Sequence, residues 1–171
     1  SDFENLRNIY KSQQSVGIGF DVHRLGPKRK LYLAGLKLKS KLGTLGHSDG
    51  DPVLHSITDA ILGACKMGDI GRIFSDKSQR FKNIRSTILL RKVIEQIKLK
   101  GFFINNIDMN IITQTPKIYN LKNKIIDNIS KLCEISQNRI NVKGKTTEKL
   151  GVIGKEKAIA CEVICSVIKY D

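Results

Sequence analysis

The chain has 171 residues, 40% of them hydrophobic and 27% charged, which predicts one globular domain with its own core. No apolar run approaches the roughly 20 residues that a membrane-spanning helix needs, which argues against a helical membrane protein. The net charge of +14 is compatible with a phosphate-rich ligand or nucleic acid, but the basic residues are scattered, and a general enrichment in Lys, Ile and Asn explains them more simply.

The first half of the chain predicts strands followed by a helix. Residues 1–15 are polar and aperiodic and indicate a flexible leader. Residues 16–22 predict a strand whose glycines permit close approach of another element. Residues 31–38 predict a short strand pair. An aspartate followed by a proline is typical of a helix start and predicts a helix over residues 51–67.

The second half predicts helices and strands that complete one α+β domain over residues 16–171. A glycine ends the helix predicted over residues 85–100, and alternating apolar residues predict the strand that follows over residues 102–114. The predicted helices cover residues 85–100 and 116–134, and the predicted strands cover residues 102–114, 141–145 and 158–169. This order favours one mixed β-sheet with helices packed on one face.

All three histidines of the chain lie close in sequence to aspartates, which indicates a metal site. Asp21 and His23 are two residues apart in a predicted strand, so their side chains share a face and can bind one ion. His55 falls one turn into the helix that begins at Asp51, shortly after His47. Two histidines and one carboxylate leave the fourth position of a tetrahedral zinc ion open, as catalytic zinc sites do.

Two aspartates of the predicted helix are candidates for orienting the His55 imidazole. Asp51 and Asp59 lie four residues before and after His55, so either can reach the same face of the helix. An N-cap is the simpler role for Asp51, and the two roles are compatible.

Three other segments suit a phosphorylated ligand, although an ordinary turn also explains each of them. Asp69, within the run Gly-Asp-Ile-Gly, can accept hydrogen bonds from sugar hydroxyls or form part of a turn. Residues 113–117 lead from a strand to a helix and offer backbone N–H groups to an anion or a base edge. Residues 143–151 combine hydroxyls, lysines and Glu148, which suits phosphate and a hard cation. The order of a P-loop is absent, which excludes a P-loop nucleoside triphosphatase.

Two alternative functions stay open on these patterns. A zinc phosphohydrolase would activate water at the open metal position, and a nucleic-acid-binding module would use the positive charge. Only 6% of the residues are aromatic, and no RNP, zinc-finger or basic-helix motif supports the second. The cysteines (Cys65, Cys133, Cys161 and Cys165) form no CxxC pair, so we expect buried free thiols.

Long runs of the sequence resemble the 2-C-methyl-D-erythritol 2,4-cyclodiphosphate synthases. The runs are GIGFDVHRLG, GHSDGDPVLHSITDAILGACKMGDIGRIFSD, TQTPK, NVKGKTTEKLG and IACE, and the resemblance extends over residues 16–169. It implies a phosphorus-oxygen lyase of isoprenoid precursor biosynthesis. Such an enzyme converts 4-diphosphocytidyl-2-C-methyl-D-erythritol 2-phosphate into the cyclodiphosphate and CMP, by attack of the 2-phosphate on the β-phosphorus.

The resemblance also implies roles for individual residues and a homotrimer with active sites between subunits, without nucleic-acid or membrane partners. The implied zinc ligands are Asp21, His23 and His55, the implied magnesium (or manganese) ligand is Glu148, and the implied catalytic residues are His47 and Thr146. The implied substrate-binding residues are Ser48, Asp69, Ile70, Gly71, Phe74, Asp76, Thr113, Gln114, Thr115, Pro116, Lys117, Ile118, Tyr119, Lys145, Thr147, Val152 and Lys155.

Four positions depart from the family pattern. Lys145 stands where many members have threonine, and Ser78 replaces an acidic residue. Val152 and Lys155 replace the phenylalanine and arginine that line the trimer cavity in many members. The polar leader, the absence of an initial methionine and the Lys/Asn/Ile bias favour an apicomplexan plastid enzyme trimmed of its targeting segment. A bacterial cytoplasmic enzyme is the alternative.

Overall fold

The computed structural model describes residues 12–46, 48–74 and 83–170, which form a single α+β domain and confirm the predicted fold class. Two 3₁₀ turns, Ile118–Leu121 and Gln137–Arg139, accompany the regular elements. In chain order, these elements are β1 (Ser12–Pro27), β2 (Leu31–Leu33), β3 (Leu36–Leu38), β4 (Leu42–Thr44), α1 (Pro52–Ala64), α2 (Ile70–Ile73), α3 (Ser86–Leu99), β5 (Phe102–Ile112), α4 (Lys122–Cys133), β6 (Ile140–Lys145), α5 (Gly151–Gly154) and β7 (Ala158–Tyr170).

Five strands form one mixed sheet in the order β4-β1-β7-β5-β6, and β2 and β3 form a separate hairpin. β1 and β5 both pair antiparallel with β7, whereas β5 and β6 run parallel. Asp21 of β1 and Ile111 of β5 both pair with Cys161 of β7. At the level of the predicted metal site, β1 and β5 are therefore two strand spacings apart, about 10 Å.

Helix α1 packs against β1 at a distance that only glycine permits. A Cβ atom on Gly17 would lie 2.0 Å from the carbonyl oxygen of Ala60, and one on Gly19 would lie 1.9 Å from that of Ser56. The alternation of β1 therefore directs Gly17, Gly19, Asp21 and His23 toward α1. This close approach brings the first turn of α1 to the predicted metal ligands of β1.

The opposite face of β1 is apolar and open to solvent. Val16, Ile18, Phe20 and Val22 alternate with the glycines and the predicted metal ligands, and each is between 50% and 65% exposed. Ile164 of β7, which pairs with Ile18, extends this surface. An exposed apolar patch of this kind is typical of a protein–protein interface.

Several predicted boundaries differ from the structure. Residues 12–15, which were predicted to belong to the leader, are part of β1 and pair with residues 167–170. This end of the strand is largely solvent-exposed, so its residues are polar and lack the apolar alternation that predicts a strand. The rest of the predicted leader lies outside the described residues. Helix α1 ends at Ala64, not at residue 67, because Lys66 adopts a positive φ. After Pro116 a 3₁₀ turn precedes α4, so that helix begins later than predicted.

The four cysteines are free and buried, as predicted. Burial raises the pKa of the Cys65 thiol to about 11 and that of Cys165 to about 12, so these thiols stay protonated at neutral pH. No helix in the described part of the chain has the length and apolar character needed to cross a membrane. Strand β4 and helices α2 and α5 were not predicted, because three or four residues carry no readable periodicity.

Candidate active site

Asp21, His23 and His55 meet where β1 packs on α1, as the sequence predicts. His23 Nε2 lies 2.8 Å and His55 Nδ1 lies 3.0 Å from Asp21 Oδ2, and the two nitrogens are 3.3 Å apart. Ligand atoms around a tetrahedral zinc ion with bonds of about 2.0–2.1 Å are separated by about 3.3 Å. Among the described residues this is the only trio of metal-binding side chains so close together, and we call it the triad.

The proton positions around the triad fit a cation. His23 Nδ1 faces the carbonyl oxygen of Leu45 at 3.4 Å, and a carbonyl only accepts, so this nitrogen carries the proton. His55 Nε2 faces Ser86 Oγ at 2.9 Å. The Ser86 hydroxyl donates to the Asp49 carboxylate at 2.5 Å, so its oxygen accepts from Nε2–H. The remaining nitrogens therefore turn lone pairs toward Asp21, and three converging acceptors without a donor suit a divalent ion.

Charge within the triad shifts the pKa values of Asp21 and His23 in opposite directions. Burial raises the pKa of Asp21, but the hydrogen bonds and positive charge that His23 and His55 supply when protonated outweigh it and lower the value from 3.8 to about 2. Burial lowers the pKa of His23, but the hydrogen bond and charge of Asp21 outweigh it, so the value rises above 6.5. Without a metal ion, a proton on His23 is thus the competing partner of the Asp21 carboxylate.

Neither aspartate proposed as a partner of the His55 imidazole forms a hydrogen bond with that ring. Asp51 caps α1 and accepts from the backbone N–H groups of Val53 and Leu54, as well as from Ala34 and Gly35. Burial raises its pKa to about 6, although these N–H groups favour the carboxylate. The other carboxylate, Asp59, accepts from the N–H of Ile70 at 2.8 Å.

The side chain that does contact the far nitrogen of His55 is Ser86, the first residue of α3. No pattern in the sequence points to Ser86, because it lies 31 residues from His55 and belongs to no motif. Asp49 lies between His47 and Asp51, and no role is predicted for it from the sequence. Its contact with Ser86 depends entirely on the packing of α3 beside α1.

The Asp69 turn lies beside the triad. Asp69 caps α2 by accepting from the N–H of Arg72 at 2.8 Å, which is the turn role considered for it. Burial raises the pKa of Asp59, and the negative charges of Asp69 and Asp21 raise it further, so the three carboxylates are near one another. The predicted polyol-binding turn and the triad therefore lie on the same side of α1.

A basic cleft opens near the triad. It has a volume of about 290 Å³, and its lining includes Lys28, Arg29, Lys30 and the predicted phosphate-binding Ser48. Gly46, also in the lining, lies close to the imidazole of His23. We did not anticipate the basic triplet from the sequence, where it was one of many scattered lysine-rich stretches. Its position beside the triad suits a ligand with several negative charges.

The remaining predicted site segments form a second group, which we call the loop cluster (residues 113–119 and 145–155). Thr113 N–H donates to the carbonyl of Lys145 at 2.9 Å, and Lys149 N–H donates to Gln114 Oε1 at 3.2 Å. The cluster follows the ends of the parallel strands β5 and β6, whereas the triad is on β1 and α1. No hydrogen bond or ion pair between described residues joins the loop cluster to the triad.

The predicted site residues differ in the solvent exposure of their side chains. Ile118 and Phe74 are buried in the core, so a ligand would meet their backbone more readily than their side chains. Several others are exposed: Lys117, Tyr119, Lys145, Thr146, Glu148, Val152 and Lys155. Glu148 adopts a positive φ of 52°, an uncommon conformation for a non-glycine residue. His47, Asp76 and the departing residue Ser78 lie outside the described residues.

A larger cavity, of about 470 Å³, lies where α3 ends and β5 begins, and Phe102, Ile104 and Cys133 contribute to its lining. None of the predicted site residues lines it. Volume is therefore a poor guide to function in this molecule, and the chemistry of the triad identifies the site.

Comparison with known proteins agrees with this geometry. The model of the YgbB family matches residues 14–168, which include both the triad and the loop cluster. The chain belongs to the YgbB family. The match begins within β1 and ends within β7, so it includes all or most of every strand of the sheet of this YgbB-family chain.

Named relatives in the YgbB family resemble the chain closely. The bifunctional enzyme IspD/IspF of Pelagibacter ubique is 70% identical over 155 residues, covering 91% of this chain and 42% of that protein. The 2-C-methyl-D-erythritol 2,4-cyclodiphosphate synthase of Haemophilus influenzae is 45% identical, covering 90% of this chain and 98% of that protein. The chain thus spans less than half of the first relative and nearly all of the second.

A solved structure supports the same assignment. The structure of IspF from Plasmodium falciparum in complex with CDP has a TM-score of 0.82 and 41% identity, covering 92% of this chain and 97% of that one. The bacterial relative from Pelagibacter ubique, at 70% identity, is more similar than this apicomplexan protein. An apicomplexan plastid source is therefore not supported, and a bacterial source is favoured.

Proposed function

We propose that the chain is a 2-C-methyl-D-erythritol 2,4-cyclodiphosphate synthase, a lyase that converts 4-diphosphocytidyl-2-C-methyl-D-erythritol 2-phosphate into the cyclodiphosphate and CMP. The observation that carries the proposal is the triad, whose three acceptors converge without a donor, beside a basic cleft and a carboxylate-bearing turn. The named relatives of the family support the same reaction. The proposal concerns the part of the bifunctional relative that this chain matches.

In this reaction an oxygen of the 2-phosphate forms a bond to the β-phosphorus, and the bond from that phosphorus to the CMP oxygen breaks. CMP leaves with the electron pair, and no water is consumed. The nucleophile is already anionic, so the protein needs no strong base and acts mainly by positioning the two phosphates. A divalent ion on the triad would offset the negative charge of a phosphate group.

The chain's own residues supply the remaining contacts. Ser48 would hold the 2-phosphate in the basic cleft, where Lys28–Lys30 add positive charge. His47 lies outside the described residues and stays a predicted catalytic residue. The Asp69 carboxylate would accept from the methylerythritol hydroxyls, since it stands on the side of α1 that carries the triad. These groups fix the folded substrate conformation in which the two phosphates meet.

The loop cluster would bind the cytidyl half of the substrate. Its residues 113–119 offer backbone groups to the base, and Thr146 and Thr147 offer N–H and hydroxyl groups to the diphosphate. Glu148 is exposed and would bind Mg²⁺ or Mn²⁺ together with diphosphate oxygens, because such ions take only one or two protein carboxylates. Val152 and Lys155, also exposed, would face the central cavity of the assembly.

We further propose a homotrimer in which the loop cluster of one subunit meets the triad of its neighbour. The exposed apolar face of β1 supports this arrangement, because a surface of this kind needs a partner to exclude water. Light scattering tests it, with a trimer mass expected. Phe20→Asp on this face should dissociate the assembly, whereas Leu99→Asp, at an exposed apolar residue at the end of α3, should not. A fully active wild-type monomer would contradict the proposal.

A phosphorus NMR assay on the synthetic cytidyl substrate tests the reaction itself. We expect signals of the cyclic diphosphate and of CMP in equal amounts, with loss of both after chelator treatment and recovery on addition of zinc and magnesium. CMP accompanied by a linear product would instead identify a zinc phosphohydrolase. Absence of any turnover by zinc-loaded trimer would overturn the proposed function.

A further inference from the structure

We propose that Asp49 and Ser86 act as a relay that holds His55 in the tautomer and orientation needed to bind metal. Ser86 is a positioning residue, because it contacts the far nitrogen of a ligand and not the metal position itself. Asp49 acts one step further away, through the Ser86 hydroxyl. The inference requires that the triad binds a metal ion, and it does not depend on whether the chain catalyses the proposed cyclisation.

The direction of each hydrogen bond follows from what the groups can donate. An ionised Asp49 carboxylate only accepts, so the hydroxyl proton of Ser86 points to Asp49 Oδ1 at 2.5 Å. The Ser86 oxygen is then free to accept, and His55 Nε2 at 2.9 Å supplies the proton. With its proton on Nε2, His55 presents the lone pair of Nδ1 to the triad.

Neighbouring groups hold the Asp49 carboxylate in place, so that it can set the direction of these hydrogen bonds. Its Oδ2 accepts from the backbone N–H of Ser86 at 3.0 Å and lies 3.8 Å from Nε of Arg85, while its Oδ1 accepts from the N–H of Asp51 at 3.3 Å. The Asp49 side chain is only 5% exposed, and the Arg85 guanidinium lies over the ring of Tyr32. Both carboxylate oxygens of Asp49 are therefore held by backbone N–H groups, Oδ1 by that of Asp51 and Oδ2 by that of Ser86.

Two variants separate the relay from ordinary packing. Ser86→Ala removes the acceptor for Nε2–H. Asp49→Asn retains the size of the side chain, but its amide can donate to Ser86 Oγ, which reverses the relay and turns the hydroxyl proton toward Nε2. Nδ1 then carries the proton and loses its lone pair as a metal ligand.

Ser56→Ala is the matched control. Ser56 is as buried as Ser86 and also makes two hydrogen bonds, to the carbonyls of Pro52 and Cys161, but it does not contact a triad side chain. It therefore reports the effect of losing a buried hydroxyl next to His55 in the chain. Loss of stability alone would affect both serine variants in the same way.

The experiment is a titration of chelator-stripped protein with zinc alone, in competition with a chromophoric chelator. We expect zinc affinity to fall roughly 10- to 100-fold in Ser86→Ala and in Asp49→Asn, and to stay within about threefold of wild type in Ser56→Ala. Because the two residues act in series, the double variant should lose less than the product of the single losses. Equal affinities for all of these proteins would overturn the relay.

Nitrogen NMR of the imidazole rings provides a second readout, and its measurement on the wild type does not depend on the stability of any variant. In zinc-free wild type at alkaline pH, we expect His55 to be protonated on Nε2, and Asp49→Asn to move the proton toward Nδ1. A wild-type His55 protonated on Nδ1 would overturn the proposal. Tight zinc binding without cyclisation would instead contradict the proposed function and would leave the relay supported.

Discussion

The triad and the loop cluster differ in how the rest of the chain holds their side chains in place. The triad is held by three packed elements, since β1 supplies Asp21 and His23, α1 supplies His55, and α3 supplies the serine behind it. The loop cluster is mostly exposed, and its hydrogen bonds run among its own residues and to adjoining loops. We therefore expect metal affinity to be a property of one folded chain, and turnover to depend on contacts that the loop cluster makes outside it.

The sharpest test of this contrast removes a ligand from the triad. His55→Ala leaves a two-residue site, so we expect zinc content to fall from about one ion per chain to near zero and turnover to fall roughly a thousandfold. Elemental analysis and the phosphorus NMR assay measure the two effects. Retention of zinc at the wild-type level would show that the triad is not the metal site.

The matching change in the loop cluster should separate turnover from zinc binding. Glu148→Gln retains the shape of the side chain but removes its charge, so we expect turnover to fall roughly a hundredfold and to require more magnesium, while zinc content is unchanged. Glu95→Gln, on the exposed side of α3, is the control and should behave as wild type. Normal cyclisation by the Glu148 variant at limiting Mg²⁺ would remove the second metal from the proposal.

A change in the backbone contact tests how far the triad depends on packing. In Gly19→Ala the new methyl group would clash with the carbonyl of Ser56, so we expect the free energy of unfolding to fall by roughly 3 kcal/mol. Zinc affinity should fall with it, because α1 carries His55. Gly26→Ala is the control in the same strand, since its nearest neighbour would be a Leu45 methyl at 3.5 Å. Urea unfolding measures both, and equal stability of the two variants would contradict the tight contact.

The smallest expected effect is the pH dependence of the metal-free triad. The lowered pKa of Asp21 stabilises the fold above pH 3.8, and this contribution is lost as the pH falls toward 2. The raised pKa of His23 stabilises it below pH 6.5, and this contribution is lost as the pH rises through the folded value. Wild type should therefore exceed Asp21→Asn in stability chiefly between about pH 4 and 6.5.

We expect the loss on the acid side of this window to be about 1–2 kcal/mol, because partial exposure of Asp21 weakens the interaction. Urea unfolding of chelator-treated proteins across the pH range measures the difference between the two variants. A difference that does not change with pH would show that the Asp21–histidine interactions do not stabilise the metal-free protein.

The sequence by itself determined the alternation that places Asp21 and His23 on one face, the capped start of the helix that carries His55, and the mixed α+β order of the elements. These features are local, since they depend on strand and helix periods and on cap chemistry. The runs resembling the synthases added the loop residues and their roles. The match to the YgbB family confirms the family that these runs indicated.

Only the tertiary structure determined which side chain forms a hydrogen bond with the nitrogen of His55 that faces away from the triad. Asp51 and Asp59 have the right helical spacing from His55, yet their carboxylates are taken by backbone N–H groups of other segments. Ser86 has no sequence relation to His55 and reaches it because α3 packs beside α1. Contacts of this kind depend on how separate elements meet, and no period or cap within one element encodes that.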